Sequence, residues 1–182
     1  SKNRERKTEI RIFDDVDAKK VVIRNTKLYV NRVEGFVGTS MRKDEYVCDC
    51  SDIDDIIVFT ENGRMIITKV DTKTFIDKNI IHVAVFKKKD KRTIYNMIYR
   101  DGDKGYCYLK RFPVYGITRD KPYSLIRSKK DGVVKYFSAN PNGEAEKVTI
   151  SLRKNPKLKK LKWDVDFSNY MIKGRMTRGN QI

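Results

Sequence analysis

Between residues 55 and 70 the apolar positions first run together and then alternate with polar ones. Ile56, Ile57, Val58 and Phe59 make one short strand, Asn62-Gly63 supplies a tight turn, and Met65, Ile66, Ile67 and Val70 interleave with Thr68 and Lys69 in a second strand. The pattern predicts a β-hairpin, and it recurs. Met97-Ile98-Tyr99 leads through Gly102 and Gly105 to Tyr106, Tyr108, Leu109 and Phe112. Tyr136 and Phe137 then lead through Asn140-Pro141-Asn142-Gly143 to Val148, Ile150 and Leu152. The turn glycines Gly63, Gly105 and Gly143 fall about forty residues apart, a period that a radial, propeller-like array of strands produces. A sandwich or barrel also spaces its hairpins regularly and is the alternative.

The remaining apolar stretches enlarge each hairpin to about four strands, enough to use up the forty-residue period. Ile80 to Phe86 and Thr93 to Tyr99 read as strands, as do Glu45 to Cys50, Tyr170 to Ile172 and, near the start, Thr8 to Ile12. Lys20 to Ile23 and Lys27 to Val30 form a hairpin-like pair. Asn31 to Ser40, with Gly35 and Gly38 among small and polar residues, reads as a loop or bulge. Helical periodicity is almost absent. The expected fold is all-β and propeller-like, in one domain over residues 1–182, with residues 1–7 as a charged linker end. From the start without Met, the chain is expected to be a piece of a longer protein or a processed product.

Chemistry narrows the picture mainly by exclusion. His82 is the one histidine and lies on an apolar strand; the serines sit in no nucleophile-elbow context; no phosphate-binding glycine loop precedes a helix. Cys48, Cys50 and Cys107 lack zinc-ligand spacing and read as reduced thiols. The acidic run from Asp49 to Asp55 lacks the glycine and terminal glutamate of a calcium loop and reads as a solvated turn. No catalytic residue, metal or cofactor is expected in this domain. No run is long enough to span a membrane and no secretory signal opens the chain, so a cytoplasmic setting and no membrane partner are expected.

Charge changes the picture most. Lys and Arg number 41 against 24 Asp and Glu, a formal net charge of +17, far more than solubility needs and suited to a polyanion. The basic residues come in groups: Arg42 and Lys43; Lys87, Lys88, Lys89, Lys91 and Arg92; Lys110, Arg111, Arg119, Lys121, Arg127, Lys129 and Lys130; Arg153, Lys154, Lys157, Lys159, Lys160 and Lys162; Lys173, Arg175 and Arg178. On stacked repeats these groups would fall on one rim and bind duplex phosphates without reading bases. Tyr99, Tyr106, Tyr108 and Tyr115 among the lysines offer a rival, single-strand stacking mode. A third reading is a propeller-like module for an acidic protein partner.

Four segments carry a resemblance across nearly the whole chain. They are residues 27–32 (Lys-Leu-Tyr-Val-Asn-Arg), residues 34–39 (Glu-Gly-Phe-Val-Gly-Thr), residues 57–64 (Ile-Val-Phe-Thr-Glu-Asn-Gly-Arg) and residues 172–180 (Ile-Lys-Gly-Arg-Met-Thr-Arg-Gly-Asn). In this order the chain resembles the C-terminal domain of the A subunit of bacterial type IIA topoisomerases, DNA gyrase and topoisomerase IV, in its Bacteroides-group form. The resemblance implies a β-pinwheel of about four blades with strands exchanged between neighbours, and a basic rim that bends double-stranded DNA. It also implies two protein partners, the ATPase B subunit together with the rest of the A subunit. ATP and Mg2+ would be used elsewhere in that assembly, and the isolated domain would be monomeric. The family's gyrase signature, Gln-Arg-Arg-Gly-Gly-Lys-Gly, is degenerate here: Asn31, Arg32, Gly35 and Gly38 keep one arginine and two glycines, with no lysine and one extra position. That favours relaxation and decatenation over gyrase-type wrapping for negative supercoiling.

Overall fold

The computed structural model describes residues 25–102, 105–116, 118–127, 131–154 and 160–182. The expected strands at Thr8 to Ile12 and Lys20 to Ile23, and the linker end, lie outside the described residues. Four modules follow one another. The first holds β1 (Thr26–Asn31), β2 (Phe36–Gly38) and β3 (Glu45–Cys50). The second holds β4 (Asp55–Thr60), β5 (Arg64–Lys69), β6 (Thr74–Phe75) and β7 (Ile80–Phe86). The third holds β8 (Ile94–Arg100), β9 (Cys107–Pro113), β10 (Tyr123–Ser124) and β11 (Val133–Asn140). The fourth holds β12 (Lys147–Ser151), β13 (Lys162–Asp166) and β14 (Asn180–Gln181). No α-helix occurs among the described residues, and one 3-10 turn, Phe167–Asn169, follows β13.

The strands form three four-stranded sheets, β3-β1-β2-β6, β10-β5-β4-β7 and β11-β8-β9-β14, and the pair β12-β13, with every pairing antiparallel. One rule generates them. In each of the later modules the third strand leaves its own sheet and covers the open edge of the sheet before: β6 on β2, β10 on β5, β14 on β9. An uncovered edge presents unpaired N–H and C=O groups, so the exchange satisfies backbone that would otherwise seek another partner. This strand exchange is the β-pinwheel arrangement.

The sheets lie face to face, and each inner one supplies two cores. Along β4, Ile57 and Phe59 point into the core shared with the third sheet, while Ile56 and Val58 point into the core shared with the first. That alternation explains why this strand reads as an unbroken apolar run. On β8, Tyr95, Met97 and Tyr99 face the second sheet and Ile98 faces the fourth.

Close approach between modules fixes several glycines. A Cβ on Gly35 would stand 2.3 Å from the Asp77 carbonyl oxygen, and one on Gly38 would stand 2.2 Å from that of Thr72. The stretch expected as a loop or bulge is therefore a hairpin, with β2 beginning at Phe36 and its glycines clearing the path of the exchanged segment.

The third expected hairpin is corrected. β11 does end in the turn at Asn140, where the Gly143 N–H donates to the Asn140 carbonyl at 3.0 Å, but β11 pairs with β8 and β12 pairs with β13. After the turn the chain crosses the sheet instead of returning along β11, and the Arg111 Nη2 holds it there by donating to the carbonyls of Gly143 (3.0 Å) and Glu144 (3.3 Å).

His82 sits against Phe59, Tyr95 and Phe137, with ring centroids 5.9, 6.3 and 5.4 Å away, and its Nε2 is buried with no hydrogen-bond partner. Burial pushes its pKa down to about 4 from 6.5, with Arg32 adding to the effect. The unfolded chain binds this proton near pH 6.5 and the folded chain only near 4, so the contribution is fully present above 6.5 and is lost as pH falls through that window. We expect His82→Phe to remove about 3 kcal/mol of acid sensitivity between pH 6.5 and 4, measured as the difference in unfolding free energy from the parent chain. Gly38→Ala should destabilise the fold by about 2 kcal/mol or more in denaturant melts, since the carbonyl it strikes belongs to backbone.

Candidate nucleic-acid interface

The second strand of the third sheet separates two kinds of basic residue. Adjacent residues on a strand point to opposite faces, so Lys110 and Arg111 on β9 enter two different interfaces. Both are buried, at 3% and 6% exposure. The Lys110 Nζ donates to the carbonyls of Leu125 (2.6 Å), Arg175 (2.8 Å) and Thr177 (3.3 Å) and lies 5.0 Å from the Phe112 ring centroid. Burial pulls its pKa down to about 7, and the three acceptors favour the ammonium form against that pull. The Arg111 Nε donates to Asn96 Oδ1 at 3.0 Å, and its other nitrogens reach carbonyls of residues 143, 144, 167 and 170. Both were expected on the outer surface; the structure corrects this, because their charge is consumed by backbone carbonyls inside the fold.

The other described cations of the expected set remain near water. Lys87, Lys88, Lys89, Lys91 and Arg92 are exposed on the loop after β7, and Arg119, Lys121 and Arg127 are exposed on the segment around β10. Arg42 and Lys43 are exposed beyond β2. Arg153, Lys154, Lys160 and Lys162 are exposed around the β12–β13 connection, and so is Lys173. Lys129, Lys130, Lys157 and Lys159 lie outside the described residues.

Strand exchange brings three of the sequence groups together. The segment 118–127 runs the length of β5, from the Asp120 N–H on the Ile67 carbonyl (2.7 Å) to the Leu125 N–H on the Gly63 carbonyl (2.8 Å). At its start Arg119 and Lys88 share a pocket with Asp55, the Arg119 Nε being 2.8 Å from Asp55 Oδ1. In its middle, Lys121 Nζ and Arg175 Cζ stand 5.8 and 5.0 Å from the Tyr123 ring centroid. Beyond it, Arg178 packs 4.3 Å from the centre of Tyr108 and pairs with Asp101 at 3.0 Å. Burial and then Asp101 raise the nearby Tyr99 phenol to about 12, with Arg178 and Arg127 acting in the opposite direction. Lys91 adds a contact at 6.0 Å from the Tyr115 ring. Residues 87–92, 119–127 and 175–178 thus form one basic line, broken by Asp55 and Asp101.

In the degenerate signature loop the polar side chains are already paired. Arg32 makes a two-pronged pair with Glu45, 2.7 Å at each contact, and Asn31 Nδ2 donates to Asp44 Oδ1 at 2.9 Å. The hydrogen bonds from Arg32 hold the Glu45 carboxyl below the usual range. Sequence reasoning missed Asp55 and Asp101 as counter-charges, because nothing in an acidic run says which member meets an arginine. It also missed Lys135, the residue at the β-bulge between Val134 and Tyr136, since a bulge leaves no compositional mark. Among the described residues no three His, Cys, Asp or Glu side chains converge on a metal position, and no helix is long and apolar enough to cross a membrane.

An all-β domain whose successive sheets exchange strands in this way belongs among the β-pinwheels. Residues 27–182 match the family described as the topoisomerase C-terminal domain of the Bacteroidota, and the chain belongs to that family. It is also 33% identical over 183 aligned residues to the A subunit of DNA topoisomerase 4 from Borreliella burgdorferi. That match takes in 100% of this chain and 27% of the relative, so the chain spans about a quarter of the relative's length.

Lys110→Met keeps the packed stem and leaves three carbonyls without their donor. We expect a stability loss of about 2 kcal/mol or more in equilibrium unfolding. Lys88→Glu, at an exposed position, should leave the unfolding midpoint within about 0.5 kcal/mol of the parent.

Proposed function

We propose that this domain binds double-stranded DNA through phosphate contacts along its basic line, without reading sequence, and bends it. The observation that carries the reading is the convergence of three basic groups, distant in sequence, on the exchanged segment along β5. A net charge of +17 supplies the long-range attraction, and membership of a topoisomerase C-terminal domain family supplies the setting. Lysine and arginine neutralise phosphates and release counterions, a gain that accrues on any duplex sequence. Bending a site of 20 to 30 base pairs costs about 1 to 6 kcal/mol on smooth elastic estimates, which several such contacts offset.

Within the holoenzyme, the domain presents a bent duplex to the breakage-reunion region of the A subunit. Strand cleavage and ATP hydrolysis, with its Mg2+, belong to the rest of the assembly, including the B subunit. Relaxation and decatenation suit the chain better than gyrase-type wrapping. The single arginine of its signature loop is held by Glu45, and Gly35 and Gly38 serve the docking of the exchanged strand.

Mobility-shift titrations of unrelated duplexes against salt test the reading. Affinity should be equal across sequences and fall about a thousandfold or more between 50 and 200 mM salt if six or more phosphates are contacted. Charge reversal at Lys88 and Lys121 together should weaken every duplex alike and flatten the salt slope. A domain that ignores duplex DNA in dilute salt removes the proposal.

A further inference from the structure

A second basic surface lies between the third and fourth sheets, and its chemistry differs from the line described above. A cleft of about 800 Å3 opens there, inside the range of about 300 to 1,000 Å3 usual for ligand pockets. Ile98, Val148 and Ile150 line it with apolar surface; Tyr106, Tyr136 and Trp163 supply rings, and Arg100, Lys135 and Arg153 supply positive charge. No Asp or Glu is among its described lining residues. An apolar cleft in an ordinary domain interface closes on itself, but here Tyr106 remains 68% exposed beside it.

The backbone is bent to build this surface. Val134 packs into the core facing the second sheet, whereas Tyr136, two residues on, packs toward the fourth. Regular alternation would put both on one face; the bulge between them reverses the phase, and Lys135 is the extra residue. Bulges re-aim side chains, and this one delivers a lysine and a tyrosine to the cleft. Opposite them Trp163 pairs with Ile150 across β12 and β13, so the indole stands on the strand facing the bulge. The tyrosines of the sequence are thereby sorted: Tyr99 and Tyr108 are core residues, and Tyr106 stays open beside the cleft.

We infer that this cleft binds single-stranded DNA, taking an unpaired base against Tyr106 and Trp163 while Lys135 and Arg153 neutralise the flanking phosphates. Stacking rings beside basic side chains are what sequence-tolerant single-strand binding requires. A duplex keeps its base faces covered by stacking and offers this cleft only phosphate, so the rings select for unpaired strand. The inference rests on the nucleic-acid reading of the domain for the nature of its polyanion, yet the residues it uses all lie outside the duplex line.

Trp163 is the only tryptophan, so the intrinsic fluorescence of the 182-residue chain reports on this cleft directly. Titration with a short oligothymidylate in dilute salt should quench the emission saturably, and a blunt duplex of equal length should quench it far less. Tyr106→Ala and Lys135→Ala should weaken oligothymidylate binding, Tyr106→Ala by about tenfold, with duplex affinity unchanged in mobility shifts. Tyr106 is exposed and Lys135 is at a bulge, so folding is checked by the unchanged unfolding midpoint. Duplex binding without quenching by oligothymidylate overturns this inference and leaves the duplex reading standing. Quenching by oligothymidylate without duplex binding supports it and removes the duplex reading. Equal quenching by an acidic peptide would assign the cleft to a protein partner and overturn it.

Discussion

Two neighbouring cations on one strand hold the third and fourth modules together and anchor the segment that the third module lends to the second sheet. Lys110 and Arg111 leave β9 on opposite faces, and between them they reach carbonyls at Leu125, Gly143, Glu144, Phe167, Tyr170, Arg175 and Thr177. Those acceptors belong to the segment exchanged onto the second sheet, the crossing into the fourth module, and the return path to β14. A buried ammonium or guanidinium is tolerable only when its protons are matched by acceptors, so each cation enforces the positions of several chain segments at once. The exchanged strands themselves are two residues long. Their ladder bonds are few, and the buried cations together with the close glycine contacts supply the rest of the docking.

The Arg111 interface extends into a polar network of the same design. Asn96, fully buried, accepts from Arg111 and donates to Glu146 at 2.9 Å; Glu146 also accepts from Tyr136 at 3.0 Å and from Ser138. These bonds lower the Glu146 pKa even though burial, the largest influence, acts to raise it. A satisfied network of this kind fixes one docking geometry between the third and fourth modules, where an apolar surface alone would permit sliding. The cleft lined by Lys135 and Trp163 borders that same junction, so its shape follows from the fixed geometry.

Electrostatics therefore works at two levels in this chain. A buried minority of cations builds the pinwheel, and an exposed majority sets its field. The separation has a functional consequence, since most exposed cations keep their charge available at the surface, whereas Lys110 and Arg111 spend their hydrogen bonds inside the fold. Asp55 and Asp101 belong to the second level: by pairing with Arg119 and Arg178 they divide the basic line into patches and orient the arginines beside them.

The order of apolar residues by itself determined the strands, the hairpins at Asn62-Gly63 and around Gly102 to Gly105, the all-β class and the forty-residue period. These are local properties: side-chain alternation and turn chemistry act within a few residues. The net charge was equally legible, and the four matching segments marked the family. Which cations face water was decided only by the tertiary structure. Lys110-Arg111 looks in sequence like any other basic pair among tyrosines, and its acceptors come from segments up to 67 residues away. The misplaced third hairpin has the same origin, because β12 pairs with the distant β13 and the chain beyond the turn at Asn140 is held by Arg111 from across a sheet face. Pairings between modules depend on edges left open elsewhere in the chain, and an edge has no signature until the sheet that owns it has formed.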